Sequence, residues 1–142
     1  MGRILAIDFG LKRTGLAVTD PGQRIATALT TVATHTLIGF LTKYIGENEV
    51  DKIVVGEPRH MNNTASGPVK DINLLLKKLQ AGFNIPVFRM DERFTSLIAA
   101  RSLIESGVKK SDRRNKALVD QVSAVLILQS FMEQQQHGGN EY

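Results

Sequence analysis

Arg3–Val18 reads RILAIDFGLKRTGLAV, and this stretch decides the fold. Ile4–Ile7 is an apolar run that leads into Asp8, Phe9 and Gly10; Leu16–Val18 is a second apolar run, with the polar turn Gly10–Gly15 between the two. Two β-rich runs joined by a short, Gly-containing connection predict a hairpin. The first run is too apolar for a one-sided strand, so it is expected at the centre of a sheet covered on both faces. Asp8 continues that strand. A carboxylate there needs a partner, because a buried charge is costly unless it is paired, hydrogen-bonded or bound to metal. The ordinary alternative is an Asp that ends the strand and caps the following turn.

The chain has 142 residues, consistent with a single domain over 1–142 that is large enough for a real core. Hydrophobic residues make up 42% and charged residues 23%, which is the composition of a globular protein. There is no Cys, which excludes a disulfide scaffold, a thiolate metal site and a Cys nucleophile. The apolar runs are far too short to span a bilayer, and the run ending at Asp8 is too short for a signal peptide. The expectation is a soluble cytoplasmic protein with no membrane partner. Net charge is +4, and Val108–Lys116 (VKKSDRRNK) accounts for all of it: Lys109, Lys110, Arg113, Arg114 and Lys116 outweigh Asp112. Read as a loop, this segment suits an anionic partner, with phosphate backbone the usual one. A solvated charged loop would have the same composition.

Beyond the hairpin, the turn signal Asp20–Gly22 precedes Arg24–Val32, a Thr-rich segment expected to be an edge-like third strand. The period then changes. Leu37, Leu41, Tyr44 and Ile45 share one face of a helix between about Thr36 and Asn48. Asp51–Gly56 reads as an interior strand, and the turn-rich Glu57–Gly67 as a mobile loop. Ser66 and Pro68 open a second helix with the stripe Val69, Ile72, Leu76 and Leu79. Ile85–Asp91 is the next strand. A third helix starts at Thr95 or Ser96 and stops at Gly107; a last helix runs from about Lys116 to Gln135, and the polar tail from 134 to 142 is expected to fray. The order β-β-β-α-β-α-β-α-α predicts an α/β fold: a mixed five-stranded sheet, a three-strand antiparallel meander followed by αβ crossovers, with helices on both faces.

Three acids stand out in that order. Asp8 ends the first strand, Glu92 follows the last one, and Asp120 lies in the first turns of the final helix. Positions i+4, i+7 and i+11 from Asp120 are Ala124, Ile127 and Phe131, so Asp120 shares the stripe that faces the sheet. The helix dipole favours an Asp near a helix start but does not require it to face inward. Sites in open α/β sheets form beyond the carboxyl ends of the strands, where all three acids can meet. Three neighbouring carboxylates repel unless cations are present. Oxygen-only ligands suit Mg²⁺ or Mn²⁺, and with phosphate in the site the set suits metal-assisted hydrolysis, with two ions about 3.5–4 Å apart as one form. Lys12, Arg13, Arg59 and Arg93 lie on loops or strand ends beside the acids, and both they and the Lys109–Lys116 group are candidates for phosphate contacts. His35, His60 and His137 lack metal-ligand spacing.

The segments IDFGLKRTGLAV, VVGEPRHMNNTASGP, MDERFTS and VDQVSAVLIL, in this order, resemble the YqgF/RuvX family along nearly the whole chain. That family consists of Holliday-junction-resolvase-like proteins regarded as pre-16S rRNA nucleases. The resemblance implies a ribonuclease H-like fold and a nucleic-acid substrate, with RNA favoured. It carries over Asp8 as the first-strand acid, Glu92 as the acid of the Asp-Glu-Arg motif and Asp120 as the helix acid. One departure is Glu57, where the family shows an apolar or variable residue. Junction resolvases of the same fold place a catalytic Glu near this strand end, so Glu57 is a candidate fourth acid or an exposed loop carboxylate.

Three rival readings share parts of this pattern. A catalytically idle nucleic-acid-binding module with the same fold would not need three converging acids. Sugar-kinase and actin-like ATPases have a phosphate hairpin resembling DFGLKRTGLAV, but they close two such domains around a nucleotide. A DNA junction resolvase cuts as a symmetric dimer; the sequence declares no dimer face, so a monomer or weak dimer is expected.

Overall fold

The computed structural model describes residues 2–57, 68–91 and 113–137. Five strands form one sheet in the order β3-β2-β1-β4-β5. They are β1 (Arg3–Asp8), β2 (Arg13–Thr19), β3 (Ala26–Ala33), β4 (Val50–Glu57) and β5 (Val87–Asp91). β2 is antiparallel to β1 and to β3, whereas β4 runs parallel to β1 and β5 parallel to β4. The meander followed by parallel crossovers is therefore present, with β1 in the middle and β3 at an edge.

The apolar run of β1 has the two-faced burial that its composition requires. Leu5 and Ile7 belong to a core shared with α1 (Leu37–Glu47) and α2 (Pro68–Gly82), through Leu37, Leu41, Ile72, Leu76 and Leu79. Ile4 and Ala6 point the other way and pack with Ala17, Val54 and Met90 under α3 (Arg113–His137), through Ala124, Ile127, Leu128 and Phe131. Alternation along the strand sends consecutive residues to opposite faces, so a strand covered on both sides must be apolar throughout. The third helix expected between Thr95 and Gly107 lies outside the described residues.

Several boundaries differ from the sequence-based expectation; β5, for one, starts at Val87 instead of Ile85. β2 starts at Arg13, so the hairpin turn is shorter than Gly10–Gly15. β3 starts at Ala26 instead of Arg24, because the Asp20 carboxylate holds the intervening turn. Its Oδ1 accepts the backbone N–H groups of Arg24 and Ile25, both at 2.8 Å, and Oδ2 accepts that of Gly22 at 3.2 Å. The last helix starts at Arg113, so Arg113, Arg114 and Lys116 stand in its first turns and not in a loop. At its other end the helix runs through 134 to His137, where fraying was expected. Lys52 on β4 reaches this end, its Nζ donating to Gln135 Oε1 at 3.1 Å, which ties the polar tail back to the sheet.

Candidate active site

The site grows from the carboxyl end of β1. Asp8 follows Ile4 and Ala6 in register, which puts it on the face covered by α3. It is buried, with 6% of its surface exposed. Its ladder partners are Gly15 on β2 and Gly56 on β4. Both glycines make room for α3. A Cβ on Gly15 would overlap the backbone carbonyl of Asp120 and lie 3.0 Å from the Asp120 Cβ. A Cβ on Gly56 would run into the Ile127 side chain. Glycine, Asp8 and glycine thus floor a trough in which α3 lies, and the Asp120 backbone comes down on Gly15, the neighbour of Asp8 in the sheet. An isolated Gly within a strand pattern signals a close backbone approach, a cue present in the sequence at Gly15 and Gly56 that reasoning centred on the acids passed over.

Asp120 is about two turns into α3, beyond the first turn over which the helix dipole acts. Its inward position therefore comes from the stripe: Ala124 and Ile127 are fully buried and Phe131 nearly so. The Asp120 side chain is 18% exposed and meets Arg13, the first residue of β2, whose Nε donates to Asp120 Oδ2 at 2.8 Å. Arg13 and Gly15 are two apart on a strand and share a face, so the guanidinium and the helix backbone arrive on the same side. The Arg13 side chain remains 43% exposed.

The β1–β2 turn that carries Lys12 is tied to the end of β3. Thr34 accounts for three links: its N–H donates to the Lys12 carbonyl at 2.9 Å, its hydroxyl donates to the Gly10 carbonyl at 2.7 Å, and the same hydroxyl meets that of buried Thr14 at 2.9 Å. Thr14 and Thr34 carry no charge and no motif, which is why spacing arguments did not single them out. Lys12 itself is exposed at the tip of this braced turn.

Of the other sequence candidates, Glu57 ends β4 and pairs with Asp91, the last residue of β5, so both backbones stand at the carboxyl edge of the sheet. Glu92, Arg59, Arg93, Lys109 and Lys110 lie outside the described residues. The structure thus pairs Arg13 with Asp120 and seats the Asp120 backbone on Gly15, the ladder partner of Asp8. Among the described residues, no group of three His, Asp or Glu side chains is arranged to hold a metal. Two carboxylates on either side of one glycine nevertheless supply the all-oxygen donor chemistry that a hard divalent cation prefers.

A family model described as RuvX, Holliday junction resolvase, matches residues 2–134. The chain belongs to the RuvX family. Relatives in the family include a Porphyromonas gingivalis protein, 53% identical over 134 residues, covering 94% of this chain and 97% of its own. Those from Bacteroides fragilis and Phocaeicola vulgatus are each 50% identical, covering 94% and 96% of this chain and 97% and 99% of their own. All three bear the name "Putative pre-16S rRNA nuclease". This RuvX chain is also similar to Thermus thermophilus RuvC, solved in complex with a Holliday junction substrate, with a TM-score of 0.57 at 16% identity over 94% of this chain and 96% of that one. The fowlpox virus Holliday junction resolvase gives 0.55 at 18% identity, covering 92% and 98%. At such identities the likeness establishes the fold, which is ribonuclease H-like. None of the described helices is long and apolar enough to cross a membrane.

Proposed function

We propose that this RuvX protein is a divalent-metal-dependent endonuclease that hydrolyses phosphodiester bonds in the 5′ leader of pre-16S rRNA. The observation that carries the reading is the seating of the Asp120 backbone on Gly15, the ladder partner of buried Asp8 at the end of β1, with a guanidinium on the Asp120 carboxylate. RuvX relatives named for pre-16S rRNA cleavage, at about half identity over nearly the full chain, support the choice of substrate. Asp8 and Asp120, with Glu92, would hold Mg²⁺ or Mn²⁺. The bound ion would act as Lewis acid on the phosphate and lower the pKa of the attacking water.

The protein's own residues have separate tasks in this reading. Burial of Asp8 between two glycines fixes its carboxylate on rigid strand backbone, which holds a ligand more precisely than a loop would. Asp120 arrives from α3, so the acid set depends on how that helix seats on the sheet. Lys12, on its Thr34-braced turn, and Arg13 would contact the phosphate backbone at the site; Arg59, Arg93, Lys109, Lys110, Arg113, Arg114 and Lys116 are further candidates for such contacts. Such contacts position a strand without reading its sequence. A ribosomal-RNA substrate puts the protein in the cytoplasm, acting as a monomer or weak dimer.

The test is an assay of purified protein with Mg²⁺ or Mn²⁺ on a pre-16S rRNA leader, an unrelated single-stranded RNA and a four-way DNA junction. Metal-dependent cleavage of the leader is expected. Cleavage of the junction alone would replace this reading with DNA junction resolution. Binding without cleavage in either metal would identify an idle nucleic-acid-binding module.

A further inference from the structure

Arg13 sits on the proposed site in an unusual way: a group suited to phosphate spends its Nε on one of the acids. Asp120 Oδ2 and Arg13 Nε are 2.8 Å apart, and the pair is only partly shielded, at 18% and 43% exposure. An ion pair this exposed to water is held weakly. It is therefore easily exchanged. Resting on the reading of Asp120 as a metal-binding acid, we propose that Arg13 is an internal counter-ion that leaves Asp120 for a substrate phosphate once the Asp120 charge is neutralised.

Three observations support the exchange. The backbones on both sides are fixed: Arg13 is the first residue of β2, paired with Ala33, and the Asp120 backbone lies against Gly15. Only the side chains are left to move. The Arg13 side chain is long and almost half exposed, so it can turn toward a strand lying over the carboxyl edge of the sheet without disturbing the core. And Asp120 is a partly buried carboxylate that needs a counter-charge, its backbone seated on Gly15, the ladder partner of Asp8. In the metal-free protein Arg13 supplies that charge; with a divalent cation present it becomes surplus, and its donor fork matches phosphate geometry. Metal and nucleic acid would thereby be coupled through one residue: each would favour the other by competing for opposite halves of the same ion pair.

The experiment is done without metal, so that it does not depend on cleavage. Wild type, Asp120→Asn, Arg13→Ala and the double variant are titrated in EDTA against a single-stranded oligouridylate 20-mer over a range of salt. Loss of the Asp120 charge should free Arg13, so D120N binds more tightly than wild type. Its log–log salt slope should steepen by about 0.7, the increment for one added phosphate contact on a single strand. In the Arg13→Ala background the same change should leave the slope unaltered. An equal steepening with and without Arg13 would assign the effect to general charge and overturn the proposal, as would no steepening in either. Asp120→Ala serves as a second neutralising variant, and melting curves confirm that each protein is folded. In a parallel titration with Mn²⁺ alone, Arg13→Ala should bind the ion more tightly than wild type; weaker binding would make Arg13 a support for Asp120 and also end the proposal. Absence of Mn²⁺ heat in every variant would instead count against the metal reading and leave the salt slopes to decide.

Discussion

Arg13 and Asp120 are 107 residues apart in the chain and 2.8 Å apart in the fold, joined where the first residue of β2 meets α3. The approach is possible because Gly15, next on the same face of β2, has no side chain to hold the helix off. The geometry of the site is thus set by a glycine that carries no chemistry.

Gly15→Ala should therefore damage both stability and function. The added methyl meets helix backbone, which cannot swing aside as a flexible side chain can, so the cost should fall at about 1–3 kcal/mol, the range for overpacking a core. Gly39→Ala is the contrasting control: it lies exposed in α1 with nothing within 4 Å of its Cβ position, and should stabilise by about 0.4–1 kcal/mol. Urea unfolding of both variants checks the difference. Equal midpoints would mean that α3 does not press on Gly15.

Asp8→Asn keeps shape while removing charge. Loss of a residue that touches a metal directly should exceed the 10–100-fold typical of its supporting partners, so cleavage of the rRNA leader should fall by more than about 100-fold. The metal-free melting temperature should equal or exceed that of wild type, as expected of a buried carboxylate kept for function at a cost in stability. A variant that cleaves normally would remove Asp8 from the site. One that melts lower, with no cleavage by either protein, would make Asp8 a structural residue.

Asp20 gives the β2–β3 turn a pH dependence. Backbone N–H groups of Ile25 and Arg24, then that of Gly22, stabilise its ionised form and hold its pKa below the usual carboxylate value. A depressed folded-state pKa contributes stability that is fully present above the unfolded value of about 3.9 and disappears as pH falls through the folded one. Wild type should thus exceed Asp20→Asn in melting temperature at neutral pH, and the gap should close on acidification below about pH 4. A gap that does not change with pH would show that the carboxylate charge is immaterial to the turn.

The basic segment is tested by salt. If it grips phosphate, changing Lys109, Lys110, Arg113 and Arg114 to Ala should flatten the salt dependence of RNA binding by about 0.7 in log–log slope for each phosphate no longer neutralised. Arg113 and Arg114 belong to the first turn of α3, so their replacement is best followed by circular dichroism as well. An unchanged slope would assign the whole segment to solvation.

The sequence by itself determined the order of the described elements, the central place of β1 and the inward face of Asp120. These follow from periodicity: a strand with both sides apolar must be covered twice, and a residue four, seven and eleven positions before Ala124, Ile127 and Phe131 must share their side of a helix. Such rules act over a few residues, so they misjudged ends. The helix starts at Arg113, three residues earlier than expected, and its continuation to His137 is supported by a contact far away in the chain, Lys52 with Gln135. Only the tertiary structure decided who meets whom. That Arg13, expected to serve phosphate, pairs with Asp120, and that Gly15 and Gly56 form the trough around Asp8, depend on the packing of α3 over β2, β1 and β4. No local pattern encodes those meetings, because they join segments that only the order of strands in the sheet brings within reach.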